Sequence, residues 1–174
     1  MSRDGTLERT PDGGVIRFER HLGHSVEEVW AAITDPAQLA QWWLPMPAEI
    51  TVDLVVGGLL EFNTTGEDAI TMTCTILRLE PPVLLEHTHL DAGSFMRWEL
   101  EPADGGCTLR LSHFVQDAQA AIANCYLVGL HESLERLEPC LSGKPEPWDW
   151  ERFGQAQARY AVIGLAAPVP GGLS

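Results

Sequence analysis

Three histidines are the side chains of this sequence best placed to do chemistry. His87 and His89 stand two positions apart in a strand-like stretch, so their rings point to one side of it. Glu86 and Thr88 take the opposite side, and Leu85 shares the histidine side. His113 falls inward on its own run, where Leu109, Leu111 and His113 alternate with Thr108, Arg110 and Ser112. Such a pair plus a third imidazole is a sound donor set for zinc or another divalent metal. However, the run carrying Met96 and Trp98 lies between the two histidine strands, which sets them about two inter-strand spacings, roughly 10 Å, apart at the backbone. The histidines are therefore expected as hydrogen-bonding spots in an apolar wall, with no metal and no cofactor.

Other chemistries find less support. His131 and Glu135 are one helical turn apart and Glu132 adds another acid, but the HExxH pattern of a metalloprotease is absent and a solvated helix face is expected. There is no Gly-x-Ser-x-Gly elbow, no CxxC pair and no phosphate-cradling loop. Cys74 and Cys125 lie at inward positions, where cysteine usually acts as a small hydrophobe. No residue is assigned a catalytic role.

The remaining constellation is apolar. Trp42, Trp43, Phe62 and Trp98 are joined by Met72 and Met96 and by the small helix residues Cys125 and Gly129. Together with His87, His89 and His113 they are the expected lining of a binding pocket. An apolar cavity of about 400 Å³ kept dry would cost about 10 kcal/mol, comparable with the whole stability of a domain. Either a guest or the tryptophans themselves must fill it.

These residues need a framework, and the periodicity supplies one. Ser25 with Glu28 forms a capping box ahead of a short helix carrying Val29, Trp30 and Ile33, and Pro36 opens a second helix bearing Leu39, Trp42 and Trp43. From Ala48 the period is two: Ile50, Val52 and Leu54 lead to Gly57-Gly58, followed by runs through Phe62, Met72, His87, Trp98 and Leu111. Short turns join them, so one antiparallel sheet is expected. Asp117 to about Leu141 reads as one long helix with Leu127, Leu130, Leu134, Leu137 and Leu141 on one face. The fold class is α+β. Residues 1–14 are a hairpin or a frayed segment, 15–142 the main domain, and 143–174 a linker with a short helix that packs back and a loose tail.

Charge and composition limit the partners. Of the 174 residues, 25 are acidic and 11 basic, a net charge of -14 that repels nucleic acid and anionic membrane. No run of about 18 apolar residues occurs, and the start Met1-Ser2-Arg3-Asp4-Gly5 lacks the apolar core of a signal peptide. Four cysteines without a paired spacing fit reduced thiols, so a cytoplasmic location is expected.

The order of elements resembles the helix-grip superfamily, also called SRPBCC or START-like and Bet v 1-like. Within it, the chain is most similar to bacterial homologues of the activator of heat-shock chaperone ATPase. The resemblance rests on Phe18-Glu19-Arg20, the stretch Val26 to Pro36, Gln41-Trp42-Trp43, Gly57-Gly58, Trp98 to Pro102, Leu111-Ser112-His113 and Gly129 to Leu134. It implies a curved antiparallel sheet wrapped around a long C-terminal helix with a cavity between them. Members of that branch commonly carry a tryptophan where Leu130 stands, and basic residues near the double glycine where this chain has Val55, Val56 and Leu59. The departures imply a more apolar ligand-facing wall.

Three functions fit this reading. The favoured one is binding of a small hydrophobic or aromatic molecule in the cavity, which makes the chain a binding protein rather than an enzyme. The second is a cyclase- or hydrolase-like enzyme on a polyketide-like substrate, with His87, His89 or His113 as acid or base. The third, implied by the resemblance and ranked below binding, is a protein-interaction module that stimulates a chaperone ATPase. Trp148 to Ile163 is the candidate surface for a homodimer.

Overall fold

In the computed structural model, which describes residues 2–171, the alternating runs become one eight-stranded antiparallel sheet. Its strands are β1 (Thr6–Thr10), β2 (Gly13–Leu22), β3 (Ala48–Val52), β4 (Leu59–Thr64), β5 (Thr71–Glu80), β6 (Leu84–Thr88), β7 (Phe95–Ala103) and β8 (Gly106–Val115). The spatial order β1-β2-β8-β7-β6-β5-β4-β3 joins sequence neighbours everywhere except at β2-β8, where the chain returns to its beginning. Pro11 to Gly13 turn the first hairpin, so the N-terminal segment is paired to the sheet. A Cβ on Gly58 would collide with the Asp53 carbonyl, which explains why a residue without a side chain ends the β3-to-β4 turn.

The helices follow their sequence signals. α1 (Val26–Thr34) starts with the capping box: the Glu28 amide donates to Ser25 Oγ (3.2 Å), and the Ser25 amide donates to Glu28 Oε2 (2.8 Å). α2 (Pro36–Trp42) has Asp35 as its N-cap and Pro36 in its first turn. The expected single helix from Asp117 is two: α3 (Ala118–Ala123) and α4 (Tyr126–Leu141). Cys125 between them takes a left-handed conformation, φ 55°, which breaks the run of helical hydrogen bonds. α5 (Trp150–Val162) packs back on α4 through the buried Ala156 and Tyr160.

The sheet curves around α4, whose Leu127, Leu130, Leu134 and Leu137 are buried against it. This is the α+β helix-grip arrangement. Strand register places Ile16, His113, Met96, His87 and Ile76 in one row across β2, β8, β7, β6 and β5. A parallel row holds Phe18, Leu111, Trp98 and Leu85, and both rows face the core.

One expectation about α4 is overturned. His131 and Glu132 do not lie on a solvated face: they are 4% and 0% exposed because α5 and the N-terminal segment cover them. Glu132 receives a two-pronged ion pair from Arg152, at 2.7 and 2.8 Å, and the Asp149 amide at 3.2 Å. His131 Nδ1 meets the Tyr160 hydroxyl at 2.9 Å, and that hydroxyl also accepts from the Gly5 amide at 2.7 Å. Arg136, also buried, donates to the carbonyls of Gln41, Trp42 and Leu44, which would otherwise be orphaned at the end of α2.

Candidate functional site

The sheet and α4 do not close on each other completely. Between them is a cavity of about 350 Å³, toward the lower end of the usual range for small-molecule sites of about 300–1,000 Å³. Its floor is the inner sheet face at Met72, Met96 and His113 with His89 just beyond β6, and its roof runs from Cys125 at the cap of α4 through Gly129 to Ser133. Trp43, Leu44 and Pro45 close one side, and Trp148, Trp150 and Phe153 close another. Met46, Ile70, Leu90 and Trp150 line it and are themselves exposed, so an apolar rim faces solvent. Among the described residues no lysine, arginine, aspartate or glutamate lines it.

Gly129 gives the roof its hollow. A Cβ built there meets nothing within 4 Å. The glycine therefore costs α4 about 1 kcal/mol in helix propensity without any compensating close contact. One turn on, the Ser133 hydroxyl sits 2.9 Å from the Trp43 carbonyl and 3.1 Å from the Gly129 carbonyl, so this polar side chain is satisfied locally.

Of the eleven residues expected from sequence, Trp43, Met72, His89, Met96, His113, Cys125 and Gly129 line the cavity. Trp42, Phe62, His87 and Trp98 lie behind its wall. Trp42 is fully buried with its indole donating to the Ala32 carbonyl (2.9 Å), and Phe62 and Trp98 are core side chains. Sequence reasoning missed Tyr126 and the segments around Leu44 and Trp148, and reached Leu130 only through its departure from the pattern of the resembled branch. The cluster of Trp148, Trp150 and Phe153 at the start of the segment expected as a helix that packs back was the available signal, since aromatic rings concentrated there call for an apolar surface to meet.

The histidines sit differently from expectation. β6 ends at Thr88, and the chain then turns through Leu90, whose φ is 56°. His89 thus leaves the strand and reaches across: its ring centroid lies 6.0 Å from that of His87 and 5.1 Å from that of His113. The intervening strand does not keep the rings apart because His89 is no longer in line with it. The Tyr126 hydroxyl donates to Asp91 Oδ2 (3.0 Å), tying this turn to the first residue of α4.

Each imidazole has its own surroundings. His87 is fully engaged: the Trp98 indole, which can only donate, reaches its Nε2 at 3.0 Å, so Nδ1 carries the proton and donates it to the Thr88 carbonyl at 2.8 Å. His113 is 1% exposed, and neither ring nitrogen has a hydrogen-bond partner among the described residues. Burial lowers the pKa of His113 to about 4, with His87 adding to the shift and Asp91 opposing it. Burial, then His113 and His87, hold His89 well below the ordinary histidine value. All three rings are neutral near pH 7.

Cys74, His87 and His89 bring three donor atoms within 4.8 Å of one another. The set does not fit a metal. Both nitrogens of His87 are in use, one accepting from the Trp98 indole and the other donating to the Thr88 carbonyl, so this ring has no lone pair free for an ion.

Residues 23–142 match the family described as Activator of Hsp90 ATPase homolog 1-like protein. The chain belongs to that family. As an Activator of Hsp90 ATPase homolog 1-like domain it is similar to a solved protein from Rhodobacter sphaeroides, 25% identical over 80% of this chain and 99% of the other, TM-score 0.68. CalU16 from Micromonospora echinospora is 26% identical, with 94% and 97% of the two chains covered and a TM-score of 0.68. The AHSA1-like protein from Aeromonas hydrophila, at 23% identity, 74% and 92% coverage and TM-score 0.65, shares the fold. Among curated proteins there is no match. Of the four residues expected to make the ligand-facing wall more apolar, Leu130 does line the cavity, whereas Val55, Val56 and Leu59 are exposed and outside it.

Among the described residues no helix is long and apolar enough to cross a membrane. All four cysteines are free.

Proposed function

We propose that this domain binds a small hydrophobic or aromatic molecule between its sheet and α4, in the cytoplasm. The observation that carries the reading is the cavity of about 350 Å³ with an apolar and aromatic wall and a bare glycine in its roof. Ligand sites are typically concave, apolar and furnished with a few convergent polar groups, here His89 and His113. The aromatic rings of Trp43 and Trp148 offer stacking surfaces.

The binding reading is favoured over the enzyme reading by the basicity of the imidazoles. A general base works best with a pKa near the operating pH. His113, lowered to about 4, is far from that value. His87 is held on both sides by Trp98 and Thr88 and does not line the cavity.

Prodan, an uncharged naphthalene dye whose emission shifts to the blue in apolar surroundings, tests the proposal. It should bind the wild-type protein and lose at least tenfold in affinity with Gly129→Phe, whose ring enters the hollow, while the melting temperature holds. Equal binding by both proteins, or none by the wild type, would overturn the reading. Chaperone ATPase stimulation that survives in Gly129→Phe would instead favour an outer-surface role.

A further inference from the structure

The charge and polarity of the guest can be read from the wall. His113 is the anomaly: a buried imidazole with one donor and one acceptor, neither used by the protein's described residues. Its ring packs at 20° against Tyr126 and edge-on to His89, contacts that hold it in place without satisfying its nitrogens. Leaving such a group unsatisfied is costly, and native proteins rarely tolerate it away from functional sites. Three other polar side chains of the wall are engaged, Tyr126 with Asp91, Ser133 with backbone carbonyls and Asn124 with the Ala120 carbonyl at 2.9 Å, whereas the buried Trp148 indole nitrogen is a second group without a partner among the described residues, one that can only donate, and His89 has only a 4.0 Å contact from Nδ1 to Cys74 Sγ.

A charged guest finds no counterpart. Among the described residues no cationic side chain lines the cavity to meet a carboxylate or phosphate, and the chain as a whole carries -14. Nor does any carboxylate of the described residues line it to meet an ammonium. Burying an unpaired ion in such a place costs far more than one hydrogen bond returns.

We propose that the cavity selects an uncharged aromatic guest bearing a hydroxyl or carbonyl group, and that this group hydrogen-bonds to the imidazole of His113. The assignment rests on the cavity-binding reading above. It makes His113 the specificity-determining residue, with the apolar wall supplying most of the affinity.

Three probes with the same ring system separate the ideas: naphthalene, 2-naphthol and 2-naphthoate, titrated at pH 7.5 and followed by quenching of tryptophan fluorescence. 2-Naphthol should bind about three- to tenfold more tightly than naphthalene, the range expected for one net hydrogen bond. 2-Naphthoate should bind more weakly than naphthalene. In His113→Phe the naphthol advantage should vanish while naphthalene still binds. In the wild-type protein, nitrogen NMR resonances of the His113 ring should move on adding 2-naphthol and stay in place with naphthalene, a reading that does not depend on the variant folding. Naphthalene binding without a naphthol preference, or naphthoate binding most tightly, overturns this inference and leaves the cavity reading standing. Failure of all three probes to bind overturns both.

Discussion

The Trp98 indole donates a 3.0 Å hydrogen bond to His87 Nε2, and this one contact fixes the tautomer of a ring that is 4% exposed. It also explains why His87 and Trp98, both expected at the cavity surface, belong to the layer beneath it. Trp98→Phe should cost about 2 kcal/mol, mostly by orphaning His87 Nε2, and lower the urea midpoint without changing the slope. Adding His87→Leu should recover part of that loss, since removing both partners is cheaper than removing one. A double variant less stable than the sum of the two singles would refute the assignment.

Arg152 and Glu132 hold the C-terminal helix in place. The Glu132 side chain is 1% exposed, so removing its partner strands a carboxylate in the interior. Arg152→Leu should therefore cost about 3 kcal/mol or more. It should also loosen the wall formed by Trp148, Trp150 and Phe153, so hydrogen exchange across residues 146–162 should accelerate more than in β7. Unchanged exchange there would show that α5 stays seated without the pair.

The buried histidines set an acid limit on stability. The folded pKa of His113 is about 4, whereas the unfolded value is about 6.5. The unfolded chain therefore binds the proton first, so stability is fully present above about pH 7 and is lost as pH falls through 6.5 toward 4. His113 alone accounts for up to about 3 kcal/mol. The lowered values of His87, His89 and His131 act in the same direction. Urea midpoints at pH 7.5, 6.5 and 5.5 should decline steadily, before most carboxylates titrate, and His113→Gln should flatten the decline. A level profile over that range would contradict the burial of these rings as neutral species.

Two glycines inside helices stand in open space, Gly129 in α4 and Gly154 in α5. Alanine at either position should stabilise the protein by about 0.5–1 kcal/mol. Gly129→Ala should in addition weaken prodan binding slightly, because a methyl group enters the hollow, whereas Gly154→Ala should leave binding alone. Thermal denaturation with and without dye separates the two effects.

The strands and the first two helices were legible because their signals are local. Alternation of Ile, Met and Cys with Thr in β5, the Ser25-Glu28 box and Pro36 each determine structure within a few residues. The break between α3 and α4 was not, since Asn124-Cys125-Tyr126 contains neither proline nor glycine and the leucine spacing begins only after it. Burial of His131 and Glu132 was hidden for another reason. An apolar stripe reveals which face enters the core, but a polar face is covered only if a distant segment brings matching partners, here Tyr160 and Arg152. His89 reached His113 through the backbone turn at Leu90, a left-handed leucine that no propensity favours.

The row from Ile16 through His113, Met96 and His87 to Ile76 is anchored by main-chain pairing on every strand it crosses. Side chains can be exchanged along it while the backbone ladder stays intact. Solved proteins only about a quarter identical keep the same frame, a loom with fixed warp threads, and under the proposed function a change at 113 in this row, or at 129 in the α4 roof above it, would alter which molecule the cavity admits.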